Sequence, residues 1–353
     1  MTDITSCNIE TFMSLIGKAE KVAIVSHMKP DGDAIGSTTG MYYFLGLCGK
    51  VNRKIVLPHR APGYLNFLFD KGVIKDTAIY ELKPRVAAKA LKESDLIICM
   101  DFNAFHRTDC LEGFLKESKA PKVLIDHHLN PDRECFDLVF SETEISSAAE
   151  LTYQILMRTP VIDGDAGRLP EKSALALMTG MTTDTNNFAN SVFPSTLRMA
   201  SELIEAGVDR AMIISNLYNQ YRETRMRLMG LVLKDLMKIT KDGVAYIVLD
   251  RNVQKEYRIE DGDTEGFVNL PLSIAKVKMS LLLKEDGDKV RVSIRSKKGI
   301  SANRCSQLHF NGGGHENAAG GRLFIPKDIK KIEDAAAYIE KHTHIFMTRE
   351  NEQ

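Results

Sequence analysis

The stretch Lys21-Val-Ala-Ile-Val-Ser-His-Met-Lys-Pro-Asp-Gly-Asp33 sets a short β-branched apolar run directly against a polar turn that carries one histidine and two aspartates. The run has the length and composition of one buried strand, and the proline, aspartate and glycine that follow stop it. The next residues, Asp33–Leu47, read as a helix. Val51–Leu57, Leu96–Met100 and Lys122–Ile125 repeat the strand pattern, while Asn8–Ala19 and Pro84–Lys92 read as helices. Strands separated by helices predict a parallel sheet covered on both faces, and so an α/β fold. Ser146–Met157 and Glu171–Thr182 read as two further helices, the first capped by the hydroxyls of Ser146-Ser147.

The texture then changes. Residues 194–239 are helical in pattern, and their most charged part, Leu217–Met229, reads as a connecting helix with Arg222–Arg227 on a solvated face. Beyond Gly243 the chain again shows strands, at Gly243–Leu249, Lys278–Lys284 and Lys289–Arg295, with a hairpin at Glu285-Asp-Gly-Asp288. A chain of 353 residues holds about two domains. The expected division is 1–193, a helical linker over 194–242, and a smaller α/β domain over 243–353.

Composition narrows the function. Equal numbers of basic and acidic side chains, 47 of each, give no long-range pull on a polyanion, which disfavours a long nucleic-acid duplex as partner. With no tryptophan and 7% aromatics there is little sign of a stacking groove for long single strands. The six cysteines are scattered without a C-x-x-C pair, as in a reduced protein. No apolar run approaches the roughly 20 residues that cross a bilayer, and the polar N-terminus is no secretory signal. The expectation is a cytoplasmic protein without a membrane partner.

Acids and histidines fall where strands end. His27, Asp31 and Asp33 follow the first strand, Asp101 follows Leu96–Met100, and Asp126-His127-His128 follow Lys122–Ile125. Asp184 comes from Thr182-Thr-Asp-Thr185, after a helix. Open parallel sheets build ligand sites beyond the carboxyl ends of their strands, near the point where strand order reverses. Taken singly, each motif reads as a turn or a cap. Taken together, so many carboxylates on one rim repel one another unless cations compensate them. Mixed carboxylate and imidazole donors suit a pair of hard-to-borderline divalent ions. His59-Arg60 and His106-Arg107 read as exposed loop pairs, and no serine elbow or Walker-type glycine loop is present.

The order His-x-x-x-Asp-x-Asp, Asp, Asp-His-His and Thr-Asp-Thr resembles the DHH phosphoesterase superfamily. Arg295-Ser296, Asn303 and Gly312-Gly-Gly-His315 followed by Ala318-Ala-Gly320 resemble its DHHA1 partner domain. In size and layout the chain is similar to the nanoRNase (oligoribonuclease) branch that also dephosphorylates 3′-phosphoadenosine 5′-phosphate. The resemblance implies an active-site cleft between two α/β domains and two divalent cations, manganese first, with magnesium or cobalt as alternatives. It implies that His27, Asp31 and Asp101 hold one cation, and that Asp33, Asp101, His127 and Asp184 hold the other. His128 would face the scissile phosphate, with Asp126 orienting a histidine. Arg295, Ser296, Asn303, Gly312, Gly313, Gly314 and His315 would bind substrate. Two positions depart from the usual pattern, Asn311 and Asn186 standing where glycine is frequent. The implied substrates are short oligoribonucleotides and a nucleotide bisphosphate. Linear dinucleotides from cyclic-dinucleotide turnover, another small phosphoanhydride, and a non-catalytic nucleotide sensor are the competing readings. The apolar helices after Ser146 offer a surface for a homodimer.

Overall fold

The computed structural model describes residues 3–260 and 262–351, and the chain divides into two compact units, one ending at Gln220 and one beginning at Tyr221. The first unit is built on six strands, β1 (Lys21–Val25), β2 (Asn52–Leu57), β3 (Thr77–Ile79), β4 (Leu96–Met100), β5 (Lys122–Asp126) and β6 (Leu138–Ser141). All are parallel, in the order β3-β2-β1-β4-β5-β6. Strand order therefore reverses between β1 and β4, the place where such sheets open a crevice at their carboxyl ends.

The helices of this unit are α1 (Ser6–Lys18), α2 (Gly32–Leu47), α3 (Lys71–Asp76), α4 (Pro84–Glu93), α5 (Glu112–Glu117), α6 (Ala148–Met157), α7 (Glu171–Asp184), α8 (Pro194–Glu205) and α9 (Arg210–Tyr218). The period-two rule sorts the core. Val22, Ile24, Ile98 and Ile125 face one layer with α1, α2 and α6 to α9, whereas Ala23, Val25, Ile97 and Leu124 face the other with α4 and α5. Residues 194–218 belong to this first core, through Met199, Leu203, Ile213 and Leu217.

The second unit holds α10 (Glu223–Leu231), α11 (Arg251–Glu256), α12 (Ala302–His309) and α13 (Ala335–Asn351). Its strands are β7 (Lys238–Ile239), β8 (Val244–Leu249), β9 (Met279–Asp286), β10 (Lys289–Ser296), β11 (Gly313–His315) and β12 (Ala318–Phe324). Their order is β11-β12-β10-β9-β8-β7, antiparallel except for the β8–β9 pair. The β9–β10 hairpin turns at Gly287, whose φ of 69° a side chain would resist. Leu228 of the charged segment and Val232 just beyond it join this unit's core. Arg225 is buried rather than solvated: its guanidinium caps the carbonyls of Gly262, Asp263 and Glu265, lying 4.2 Å from the Tyr221 ring and 4.9 Å from that of Phe267. The loop that supplies those carbonyls lies some 40 residues downstream, so a local charge pattern could not reveal the contact.

Helix α2 is almost wholly buried because it meets α7 at backbone distance. A Cβ on Gly36 would stand 2.6 Å from the Ala176 carbonyl oxygen and 2.7 Å from Gly180 Cα. Gly36→Val should force the helices apart and cost about 3 kcal/mol, the upper end of overpacking penalties. That corresponds to a melting temperature lowered by roughly 6–12 °C, readable by calorimetry. An unchanged melting temperature would show that the close approach is dispensable.

Candidate metal centre

The loop after β1 delivers three donors by different means. Asp31 is the N-cap of α2, its carboxylate accepting from the amides of Asp33 and Ala34 at 3.0 and 3.1 Å. Asp33, in the first turn of the same helix, is buried, and its two oxygens accept the first amides of α6, from Ala148 at 2.6 Å and Ala149 at 2.9 Å. A helix N-terminus is a natural partner for a carboxylate, and each oxygen keeps a lone pair. His27 donates through Nδ1 to the Met28 carbonyl at 2.8 Å, which leaves Nε2 toward the aspartates. That backbone contact selects the tautomer a metal requires.

Asp101 stands at the centre. It directly follows β4 in a left-handed conformation (φ 62°), pinned by its amide to the Ile125 carbonyl at 2.9 Å. One carboxylate oxygen lies 3.3 Å from His27 Nε2 and the other 3.5 Å from His127 Nε2. His127 Nε2 also lies 3.8 Å from Asp33 and 3.7 Å from Asp184, while His27 Nε2 is 3.8 Å from Asp31. Two donor groups result, His27 with Asp31 and Asp101, and Asp33 with His127 and Asp184. Asp101, His127 and His128 form a third such cluster. The Nδ1 of His128, however, is engaged at 2.7 Å by Asp126, a fully buried carboxylate whose other oxygen takes the His128 amide at 3.2 Å. Asp184 ends α7, and the left-handed turn behind it includes Asn186 at φ 46°, a conformation asparagine tolerates better than most residues.

The electrostatics follow from crowding. Burial opposes charge on His27 and His127, but the Asp101 carboxylate between them prevails and pushes the imidazoles up to about 9 and about 10. Burial would also raise Asp101, yet the flanking His127 and His27 hold it well below the ordinary carboxylate range. His127 helps Asp33 less, and burial followed by the Asp101 charge drives it well above that range. Burial likewise raises Asp31 and takes Asp184 to about 6.

In the second unit, Arg295 is half-buried, donates only to the Ile294 carbonyl, and makes no ion pair among the described residues; burial depresses its ionisation. Ser296 gives its hydroxyl to the Ile300 carbonyl at 2.6 Å, and Asn303 receives the Gly314 amide at 2.8 Å. Gly312 is required by packing, since a Cβ there would meet the Gly320 carbonyl oxygen at 1.9 Å. Gly313 and Gly314 pair with β12, and Asn311 takes the left-handed conformation (φ 48°) that glycine would otherwise supply. The side chain of His315 lies outside the described residues.

Family models match both parts of the chain, the DHH family N-terminal domain over residues 21–181 and the DHHA1 domain over 241–341. A bifunctional oligoribonuclease and PAP phosphatase, NrnA, of Thermus thermophilus is 30% identical over 309 residues, 86% of this chain and 84% of the relative. The chain belongs to the DHH/DHHA1 phosphoesterase family. A probable bifunctional oligoribonuclease and PAP phosphatase of Streptococcus mutans is 27% identical, covering 89% of this chain and 93% of that one. The crystal structure of an exopolyphosphatase-related protein from Bacteroides fragilis superposes with a TM-score of 0.90 at 35% identity over 98% of both chains.

Phosphoesterases of the DHH/DHHA1 family depend on metal, and the donor set fits one. Among the described residues the buried Oδ1 of Asp101 accepts no hydrogen bond, an orphaned acceptor of the kind a cation satisfies. A cation must displace the protons that His27 and His127 hold near neutral pH. Raising the pH removes those competitors, so affinity should rise from pH 6 toward 9 and level off as the imidazoles lose their protons. Titration calorimetry with manganese in two buffers of different protonation enthalpy should detect net proton release at pH 7. It should also show Kd falling roughly tenfold per pH unit for each proton displaced. A Kd flat from pH 6 to 9 would contradict this electrostatic account.

Proposed function

We propose that the chain hydrolyses short oligoribonucleotides to mononucleotides and removes a phosphate from 3′-phosphoadenosine 5′-phosphate, using two divalent cations, manganese first. The observation that carries the reading is the position of Asp101, whose two carboxylate oxygens face imidazoles of the two donor groups at 3.3 and 3.5 Å. His27, Asp31 and Asp101 would hold one cation, and Asp33, Asp101, His127 and Asp184 the other. Bound there, the cations supply Lewis acidity toward water and toward the phosphoryl oxygens.

The protein's own groups would do the rest. Asp126 fixes the His128 ring through Nδ1, so its other nitrogen would face the scissile phosphate and, in the imidazolium form, donate to it and share the charge of the transition state. The α6 amides hold Asp33 in place. Arg295, a cation with no counter-ion among the described residues, would fork two hydrogen bonds onto a substrate phosphate, which lysine cannot match. The relatives' names support the substrate class. The balanced charge of the chain, 47 against 47, also argues for a short ligand gripped locally.

Phosphate or nucleotide release should be measured with manganese on a short RNA, 3′-phosphoadenosine 5′-phosphate and pyrophosphate side by side. Turnover of the first two is expected, and activity on none of the three would favour a nucleotide sensor. Asp101→Ala should lower kcat by roughly 10³-fold or more, beyond the loss of one transition-state donor. Near-normal turnover in that variant would sink the two-cation scheme. Arg295→Lys should raise KM more than it lowers kcat, and an unchanged KM would remove Arg295 from binding.

A further inference from the structure

Three loops at the carboxyl ends of β2, β1 and β4 are stitched together beside His27. The Met28 amide donates to the Arg107 carbonyl at 2.7 Å, and the Lys29 amide donates to His59 Nδ1 at 3.3 Å. His59 Nε2 lies 3.7 Å from the Asp109 carboxylate, closing the circuit. Two of the residues involved, Lys29 (φ 50°) and Asp109 (φ 51°), are held in left-handed backbone without being glycine. Such strain costs on the order of 1 kcal/mol or more each and persists only where surrounding structure imposes it.

The loops bring together three permanent cations, Lys29, Arg60 and Arg107, with the imidazoles of His59 and His106. None of the three cations makes an ion pair among the described residues. The nearby carboxylates are committed elsewhere. Asp109 faces His59, Glu81 accepts the Arg60 amide at 3.3 Å, and Asp31 accepts amides of α2 and faces His27. Three cations free of any ion pair among the described residues thus stand on loops next to the acidic centre, Lys29 two residues from both His27 and Asp31. The bonds that hold the loops are made by backbone atoms and by His59, so the three cationic side chains are not needed to build them.

We propose that Lys29, Arg60 and Arg107 form a subsite for a non-scissile phosphate of the nucleotide substrate, on the rim beside the acidic centre. The subsite rests on the phosphoester reading above and deepens it. The anionic donors draw cations inward, while the rim draws the substrate's remaining negative charge. It selects nucleotides with a phosphate beyond the one attacked, which both a short RNA and a nucleotide bisphosphate possess.

The test is equilibrium binding of a fluorescein-tagged tri-adenylate by anisotropy, with calcium replacing manganese, to the wild type, Lys29→Gln and Arg107→Gln. Each variant keeps its Cβ and backbone contacts. Each should raise Kd roughly tenfold and flatten the dependence of log Kd on log salt by about 0.7, the share of one single-strand phosphate contact. Manganese affinity, followed by calorimetry, should stay within about twofold. Unchanged RNA binding overturns the subsite. So does an equal loss of RNA and manganese affinity, because the side chains would then merely support the His27 loop. Wild-type protein that binds the tri-adenylate through these residues yet never cleaves it with manganese would refute the proposed activity and leave the subsite standing.

Discussion

A carboxylate buried between two imidazoles governs this molecule. Asp101 sits at the reversal of strand order, where β1 and β4 part, and it faces His27 from one loop and His127 from another. Its negative charge is retained because those rings hold protons, while burial, with the Asp101 charge behind it, raises Asp33 and Asp184 above the ordinary carboxylate range. The metal-free centre is therefore a set of groups sharing too few cations, stabilised by borrowed protons. Divalent ions relieve the same imbalance more completely, which is why metal binding and proton release are two faces of one electrostatic condition.

Holding those charges together requires rigid support. Asp33 is fixed by the first amides of α6, and the start of α6 is in turn fixed by Glu150. This fully buried carboxylate accepts from the Ser146 amide and hydroxyl at 3.2 and 2.5 Å, from Thr196 at 2.7 Å and from Gln154 at 3.1 Å. Four donors satisfy it without any cation, so it supports the centre without competing for metal. The close passage of α2 along α7 does the complementary work, because Asp33 begins one helix and Asp184 ends the other.

Much of this was legible in the sequence, and the parts that were not share a cause. The long β-branched runs became β1, β2, β4 and β5, since buried parallel strands leave a continuous apolar signature. The edge strands β3 and β6, three and four residues long, carry too few side chains to register one. Most of the acids could be picked out because they follow strands, whereas Asp184 ends a helix. Nothing local could show that α6 would turn its amides toward Asp33, a contact 115 residues away in sequence. Arg225 was misjudged for the same reason, its carbonyl partners lying on a distant loop. The glycine run had a different ambiguity. Flexibility, anion binding and tight packing all ask for glycine, and only the position of Gly320 shows that Gly312 answers to packing.

Charge of opposite sign is sorted by position in the first unit. Carboxylates crowd the carboxyl ends of β1, β4 and α7, whereas Lys29, Arg60 and Arg107 occupy loops immediately alongside. Were these cations turned onto the acids, they would neutralise them and leave nothing for a metal to do. The donations that tie Met28 to Arg107 and Lys29 to His59 run through main-chain amides instead, so the loops are joined without spending a cationic side chain. Arg295 in the second unit obeys the same logic, half-buried, its guanidinium donating among the described residues only to a carbonyl of its own strand. Burying an arginine with no counter-ion among the described residues is costly, and on the proposed reading a substrate phosphate would offset that cost. On the proposed reading, these carboxylates left short of cations and these cations left without carboxylates would divide between a metal and a substrate a neutralisation that the side chains do not complete among themselves.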